Sequence, residues 1–179
     1  MVTVNRAAKS FSDLCIYAYE CWQMYKTMYM YKDKIKSNIW DKLGGILHEY
    51  SFLQVAKIND REKHAKDYNL SLAYLIARVK DASYTNSYNK FRDDNSEFIE
   101  ATNSARNKVI VHYDLGVSTS GAVEGAFTAG LDDKYFDSLH EIISEGYDIL
   151  GLGPFPDWPP FIEADTKTFM DKLEKAFSA

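Results

Sequence analysis

The sequence predicts an all-α protein, a bundle of five or six helices that forms one domain over residues 1–179. Apolar residues recur at steps of three and four in most segments, which is the period of an amphipathic helix. No convincing run alternates apolar and polar residues, as a half-buried strand would. The composition is 46% hydrophobic with 9 Gly and 4 Pro, which suits a folded core and excludes a low-complexity chain. Together these observations favour a helical bundle.

The first two helices carry the clearest patterns. One is predicted from about Phe11 to Asp33 and a second over residues 38–58. In the second helix one stripe is expected to face the core: Ile39, Leu43, Ile46, Tyr50 and Leu53. The pair Gly44-Gly45 lowers helix propensity within it. The helix is therefore expected either to bend there or to be approached closely by another backbone.

The rest of the chain alternates helices with segments of different composition. Further helices are predicted over residues 70–79, 96–113, 132–150 and 165–177. The apolar stripes expected to face the core are Phe98, Thr102, Ala105, Val109 and His112 in 96–113, Tyr135, Leu139 and Ile142 in 132–150, with Leu150 as a further candidate, and Phe169, Leu173 and Phe177 in 165–177. The connecting segments are charged (60–69), polar (80–95), Gly/Ser-rich (116–130) and Pro-rich (153–161). Around Trp158, the Pro-rich segment either packs across the end of the bundle or docks a partner, and packing is favoured. The core of the domain is expected over about 38–150.

Composition and charge narrow the classes of function. No run approaches the about 18 apolar residues of a spanning helix, and the start of the chain lacks a secretory signal pattern, so a cytoplasmic protein without a membrane partner is expected. The formal charge of −5 argues against a general nucleic-acid coat but not against a local basic site. Cys15 and Cys21 are expected to pack rather than to bind metal. No cofactor is expected.

One segment, ARNKVIVHYD at residues 105–114, carries residue types that suit phosphodiester chemistry. Arg106 can clamp a phosphate, Asn107 can orient groups by hydrogen bonds, and His112 has an imidazole that titrates near neutrality. His112 lies about 240° further round an ideal helix than Arg106, so the two residues do not share a face. Their convergence needs the reach of the arginine, distortion near the helix end, or a second chain. Lys108 is a candidate contact to an RNA backbone or simply a solvated lysine.

The order Arg106-Asn107, four residues, His112 resembles the R-x(4–6)-H signature of the HEPN superfamily, including its polar residue after the arginine. Upstream, HEYSFLQVAKINDREK and NLSLAYLIARV resemble the abortive-infection (AbiU-type) branch. In that branch a helix ends in an aspartate-bearing turn, here Asp60, before a short helix that begins Asn-Leu-Ser-Leu, here residues 69–72. The resemblance covers roughly residues 38–150.

The resemblance implies a HEPN-like bundle that dimerises and brings two Arg/His pairs into one cleft. It implies a hydrolase, a metal-independent endoribonuclease of toxin or phage-defence type, with His112 as the catalytic imidazole, Arg106 as the phosphate clamp and Asn107 as an orienting group. RNA is then the substrate, and an antitoxin or nucleotidyltransferase is a candidate partner. The alternative is a non-catalytic HEPN-like module that binds RNA, a nucleotide or a protein. The sequence leaves open which RNA would be cut and which face forms the dimer.

Overall fold

The computed structural model describes residues 3–107 and 127–177, which form seven α-helices and one two-stranded antiparallel hairpin. The all-α class predicted from the sequence is confirmed. In chain order the elements are α1 Val4–Tyr29, α2 Asn38–Ile58, β1 Lys63–His64, β2 Asp67–Tyr68, α3 Leu72–Val79, α4 Ala82–Asp94, α5 Ser96–Ala105, α6 Leu131–Leu150 and α7 Phe161–Phe177.

Helix α1 is the centre of the bundle and packs against α2, α3, α6 and α7. Its buried face combines small residues with two large aromatic ones: Ala7, Ala8, Phe11, Cys15, Ala18 and Trp22. Small residues on such a stripe let neighbouring helices approach closely, and the aromatic residues fill the space between them. The indole of Trp22 lies 5.2 Å from the rings of both Phe52 in α2 and Phe98 in α5. Trp22 therefore joins three helices in one core.

An ion pair between the half-buried Lys26 and the buried Asp132 fixes the start of α6 against α1. Lys26 Nζ lies 2.7 Å from Asp132 Oδ2, and the indole N–H of Trp22 donates to the same oxygen at 3.0 Å. Burial opposes ionisation of Asp132, but the hydrogen bonds from Lys26 and Trp22 outweigh it and hold the pKa of this carboxyl below its ordinary value. Asp132 is therefore ionised inside the bundle, and its contacts with Trp22 and Lys26 fix the position of α6 relative to α1.

The prediction of five or six helices is wrong, because the described residues already form seven. The additional helix is α4, which lies in the polar segment 80–95. Asp81 caps this helix by accepting a hydrogen bond from the Tyr84 backbone N–H at 2.9 Å. Tyr84 and Phe91, seven residues apart, face the core. Two large rings at that spacing suffice to bury one side of a helix whose other positions are polar.

Helix ends also differ from the predictions. Helix α1 begins at Val4 rather than at about Phe11, with Thr3 as its cap. Helix α7 begins at Phe161, the last residue of the Pro-rich segment, rather than at residue 165. Residues 60–69 are not only a charged connector, because they contain the hairpin of β1 and β2. Within the described residues no helix is long and apolar enough to cross a membrane.

The predicted core face of α2 is wrong, although the bounds of this helix are as predicted. Ile39, Leu43, Ile46 and Tyr50 are all exposed. The buried residues of α2 lie mostly in its second half, on another face: Trp40, Ser51, Phe52, Gln54, Val55, Ala56 and Ile58. Both faces of α2 are apolar, so the spacing alone could not identify the inner one. A Cβ added at Gly44 or Gly45 meets nothing within 4 Å, so no backbone of the described residues approaches there.

The Pro-rich segment packs, as the sequence favoured. Trp158 stacks on Tyr19 of α1 with ring centroids 5.0 Å apart, and its indole N–H donates to the Phe136 carbonyl at 3.2 Å. Phe155 is buried beside it. The segment therefore closes the bundle between α1 and α6.

Candidate functional site

Arg106 lies at the point where α5 ends. The preceding part of α5 packs into the core through Phe98, Thr102 and Ala105, which are buried as predicted. The backbone N–H of Arg106 still donates to helix carbonyls, and Arg106 with Asn107 continues α5 as a wider π-helical turn. Only 20% of the Arg106 side chain is exposed. Its guanidinium group is thus held at the edge of the core rather than extended into solvent.

Asp60 forms an ion pair with this guanidinium group, with Oδ1 3.1 Å from Arg106 Nη1. Asp60 lies in the turn after α2, and the turn is fixed by its neighbour Asn59. The Asn59 amide donates to the Val55 carbonyl at 2.9 Å and to the Tyr135 hydroxyl of α6 at 2.7 Å. Both members of the ion pair are therefore attached to the core through adjacent residues.

Asn107 holds a second edge of the same guanidinium group. Its Oδ1 accepts a hydrogen bond from Arg106 Nε at 3.1 Å, although Asn107 itself is exposed. With Asp60 on Nη1 and Asn107 on Nε, the plane of the guanidinium group is defined by two contacts. An arginine held in this way is oriented before a ligand arrives, which lowers the entropy lost when it binds an anion.

The structure thus brings together two of the predicted site residues, Arg106 and Asn107, and adds Asp60. His112 and Lys108 lie outside the described residues, so the approach of an imidazole to Arg106 stays a prediction. The sequence placed Asp60 in a turn but assigned it no contact with Arg106. No periodicity links positions 46 residues apart, so only the fold of α2 against α5 reveals this pair.

A second feature is a cavity of about 830 Å³ beside α2. Aromatic side chains line much of it, among them Tyr25, Tyr29, Phe52 and Phe127, and Gly44 and Gly45 leave its wall open. The imidazole of His48 stacks on Tyr25 at 4.8 Å, and burial lowers the pKa of His48 below its ordinary value. The sequence assigned no role to His48, since no partner lies near it along the chain.

The remaining candidate groups are structural or do not converge. Cys15 and Cys21 are buried free thiols, and burial raises the pKa of Cys15 well above its ordinary value. In residues 3–107 and 127–177, no three His, Cys, Asp or Glu side chains are grouped as metal ligands.

Comparison of the chain with protein-family models, with curated proteins and with solved structures finds no match.

Proposed function

We propose that the chain is a HEPN-like, homodimeric endoribonuclease that needs no metal ion, with Arg106, Asn107 and His112 in its active site. The observation that supports this proposal is the constrained Arg106 guanidinium group at the end of α5, held by Asp60 and Asn107. The sequence signature places an imidazole six residues later, at His112. Toxin or phage-defence activity, with an antitoxin or nucleotidyltransferase as partner, belongs to the same proposal.

The proposed reaction uses the nucleophile that RNA carries. The 2′-hydroxyl attacks the adjacent phosphorus, the bond from phosphorus to the 5′-oxygen breaks, and the products are a 2′,3′-cyclic phosphate and a 5′-hydroxyl. Arg106 stabilises the charge that develops on the non-bridging oxygens. One His112 removes the proton of the 2′-hydroxyl, and the His112 of the second subunit protonates the leaving oxygen. Two subunits are needed because one imidazole cannot do both in a single step.

The ion pair with Asp60 gives this proposal a specific requirement. A phosphate that binds Arg106 comes close to the Asp60 carboxylate and is repelled by it. RNA must therefore approach the part of the guanidinium group that Asp60 does not cover, and Asp60 then acts as a positioning residue. Asp60→Asn keeps a hydrogen-bond acceptor and removes the repulsion. We expect this variant to lower KM for RNA at low salt while kcat changes little.

Incubation with mixed RNA in the presence of EDTA tests the activity. Wild-type protein is expected to release 5′-hydroxyl products. Arg106→Ala, which removes a charge-stabilising group, and His112→Ala, which removes a general acid and base, are each expected to lose at least 100-fold in rate. Arg92→Ala and His140→Ala serve as matched controls on exposed or half-buried positions away from this site. Cleavage that survives in both site variants would remove Arg106 and His112 from the mechanism. Activity per chain that does not fall on dilution to a monomer would contradict the shared cleft.

A second candidate function, a non-catalytic module that binds a nucleotide, is supported by the cavity beside α2. Its aromatic walls suit a planar base, and Lys32 at its rim suits a phosphate. Binding of mononucleotides that is lost in Tyr25→Ala, together with no RNA cleavage by any form, would favour this function. Loss of cleavage in the Arg106 and His112 variants with no nucleotide binding would favour the nuclease.

A further inference from the structure

The hairpin of β1 and β2 projects from the bundle directly after Asp60, and it buries no apolar residue of its own. Every residue from Lys63 to Tyr68 is exposed. The strands are two residues long, and Lys63 pairs with Tyr68. The base is closed by Asn69, whose backbone N–H donates to the Glu62 carbonyl at 2.9 Å and whose amide donates to the Arg61 carbonyl at 3.0 Å. So short a hairpin contributes little to the core, which suggests another use for its side chains.

An exposed tyrosine flanked by two cations occupies the surface of this hairpin. The Tyr68 ring is 52% exposed. Lys63 Nζ lies 5.2 Å from its centroid, and the guanidinium carbon of Arg78, from α3, lies 4.8 Å from it. Arg78 is also 5.1 Å from the ring of Tyr74, which meets Tyr68 edge to face at 5.8 Å. Arg78 and Tyr74 therefore hold the half-exposed ring beside α3 in one orientation, with Lys63 as a second cation near it.

The local charge differs in sign from that of the whole chain. Residues 60–80 contain five basic and three acidic side chains, a formal charge of +2, whereas the rest of the chain carries −7. The basic members are Arg61, Lys63, Lys66, Arg78 and Lys80. Two of them, Lys63 and Arg78, lie at the Tyr68 ring, and this basic patch in an otherwise acidic chain attracts a polyanion to one place rather than over the whole surface.

The patch adjoins the candidate active site. Lys63 follows Asp60 by three residues, so their Cα atoms lie within about 11 Å of each other. Asp60 in turn contacts Arg106. A strand of RNA that places a phosphate at Arg106 therefore has the hairpin within reach of its neighbouring nucleotides.

We propose that the hairpin and Arg78 form a subsite for single-stranded RNA beside Arg106. Tyr68 stacks on one unpaired base, and Lys63 and Arg78 contact the flanking phosphates. The flexible stem of Lys63 lets its ammonium group leave the ring face when the base arrives. A duplex is excluded from this mode because its bases are already stacked on one another. The inference rests on the proposed function for the location of the scissile linkage, but the binding can be measured without cleavage.

The test uses a fluorescent 12-nucleotide RNA with 2′-O-methyl groups, which cannot attack the adjacent phosphate, and the full chain in EDTA. Tyr68→Ala is expected to weaken binding about 5- to 150-fold, since stacking on an aromatic side chain contributes about 1–3 kcal/mol per base and 1.36 kcal/mol corresponds to a factor of ten. Tyr68→Phe is expected to bind like wild type. Arg78→Ala is expected to weaken binding and to reduce the slope of log affinity against log salt by about 1.

Matched controls exist elsewhere in the chain. Tyr17 is 47% exposed and meets the Tyr50 ring edge to face at 6.1 Å, so Tyr17→Ala removes a similarly exposed aromatic pair far along the chain from the hairpin. Arg92, 5.9 Å from the Tyr88 ring, is the matching arginine. Neither control is expected to change RNA affinity more than twofold. Circular dichroism of each variant checks that the bundle remains folded.

The outcomes separate this inference from the proposed function. Equal loss of affinity in Tyr68→Ala and Tyr17→Ala, or displacement of RNA by heparin to the same extent in all variants, would overturn the subsite. Cleavage by wild type with unchanged affinity in Tyr68→Ala would overturn the subsite and leave the nuclease intact. Hairpin-dependent binding with no cleavage of unmodified RNA would support the subsite and overturn the nuclease.

Discussion

The substitution Gly146→Ala should lower stability, although alanine normally favours a helix. Gly146 lies in α6 and faces Tyr84 of α4, which is buried. A Cβ on Gly146 would lie 2.9 Å from Tyr84 Cζ and closer still to the hydroxyl oxygen. Alanine adds about 1 kcal/mol of helix propensity, but overpacking a core costs about 1–3 kcal/mol. Tyr84 is 1% exposed and the cavity beside it holds only about 10 Å³, so the ring can move little. We therefore expect an overpacking cost of about 2–3 kcal/mol and a net loss of about 1–2 kcal/mol.

Gly44→Ala and Gly45→Ala are the matched controls, because both glycines lie inside α2 and a Cβ on either meets no atom of the described residues within 4 Å. Each should raise the free energy of unfolding by about 0.5–1 kcal/mol. Urea unfolding followed by far-UV circular dichroism measures all three, and an unchanged m-value shows that the same surface is exposed on unfolding. The reasoning is refuted if Gly146→Ala is as stable as wild type, or if all three variants shift in one direction.

Three further predictions concern the ion pair of Lys26 and Asp132, the candidate site and a helix cap. Asp132→Asn should lower the free energy of unfolding by about 2 kcal/mol at pH 7, because Trp22 and Lys26 lose a charged acceptor. Folding lowers the pKa of Asp132, so this carboxyl contributes its full stabilisation above the ordinary aspartate pKa and loses it as the pH falls below that value. Urea unfolding at pH 7 and at pH 3 should show that the difference in unfolding free energy between wild type and Asp132→Asn is smaller at pH 3. Asp60→Asn should change thermal stability by less than about 1 kcal/mol, because the ion pair is partly exposed; a larger loss would mean that Asp60 is structural. Asp81→Ala should cost about 1 kcal/mol in urea unfolding while Asp81→Asn is close to neutral, and equal losses would contradict its role as a cap.

Local patterns were sufficient where a helix has one apolar face and one polar face. The stripe Tyr135, Leu139 and Ile142 of α6 is buried as predicted, because the opposite side of that helix is polar and only one orientation hides the apolar side. The same reasoning failed for α7, where Phe169 and Phe177 are exposed and Met170 is buried. In α7 apolar residues lie on more than one side, so the spacing permits more than one inner face.

The candidate site was likewise predicted only in part from local patterns. Its residue types, Arg106, Asn107 and His112, were found from the sequence because they lie within one short segment and suit one chemistry. Asp60 was not assigned to the site, since its contact with Arg106 depends on how α5 crosses α2. The cation–aromatic cluster at Tyr68 was missed for the same reason.

By itself, the sequence determined that this protein is helical, where most of its helices lie, and which segment carries groups suited to phosphate chemistry. These properties depend on neighbours within a few positions along the chain. The tertiary structure decided which face of α2 is buried, that Asp60 holds Arg106, and that Arg78 supports Tyr68. Each of these depends on contacts between residues distant in sequence, and such contacts are set by the packing of the whole bundle rather than by local spacing.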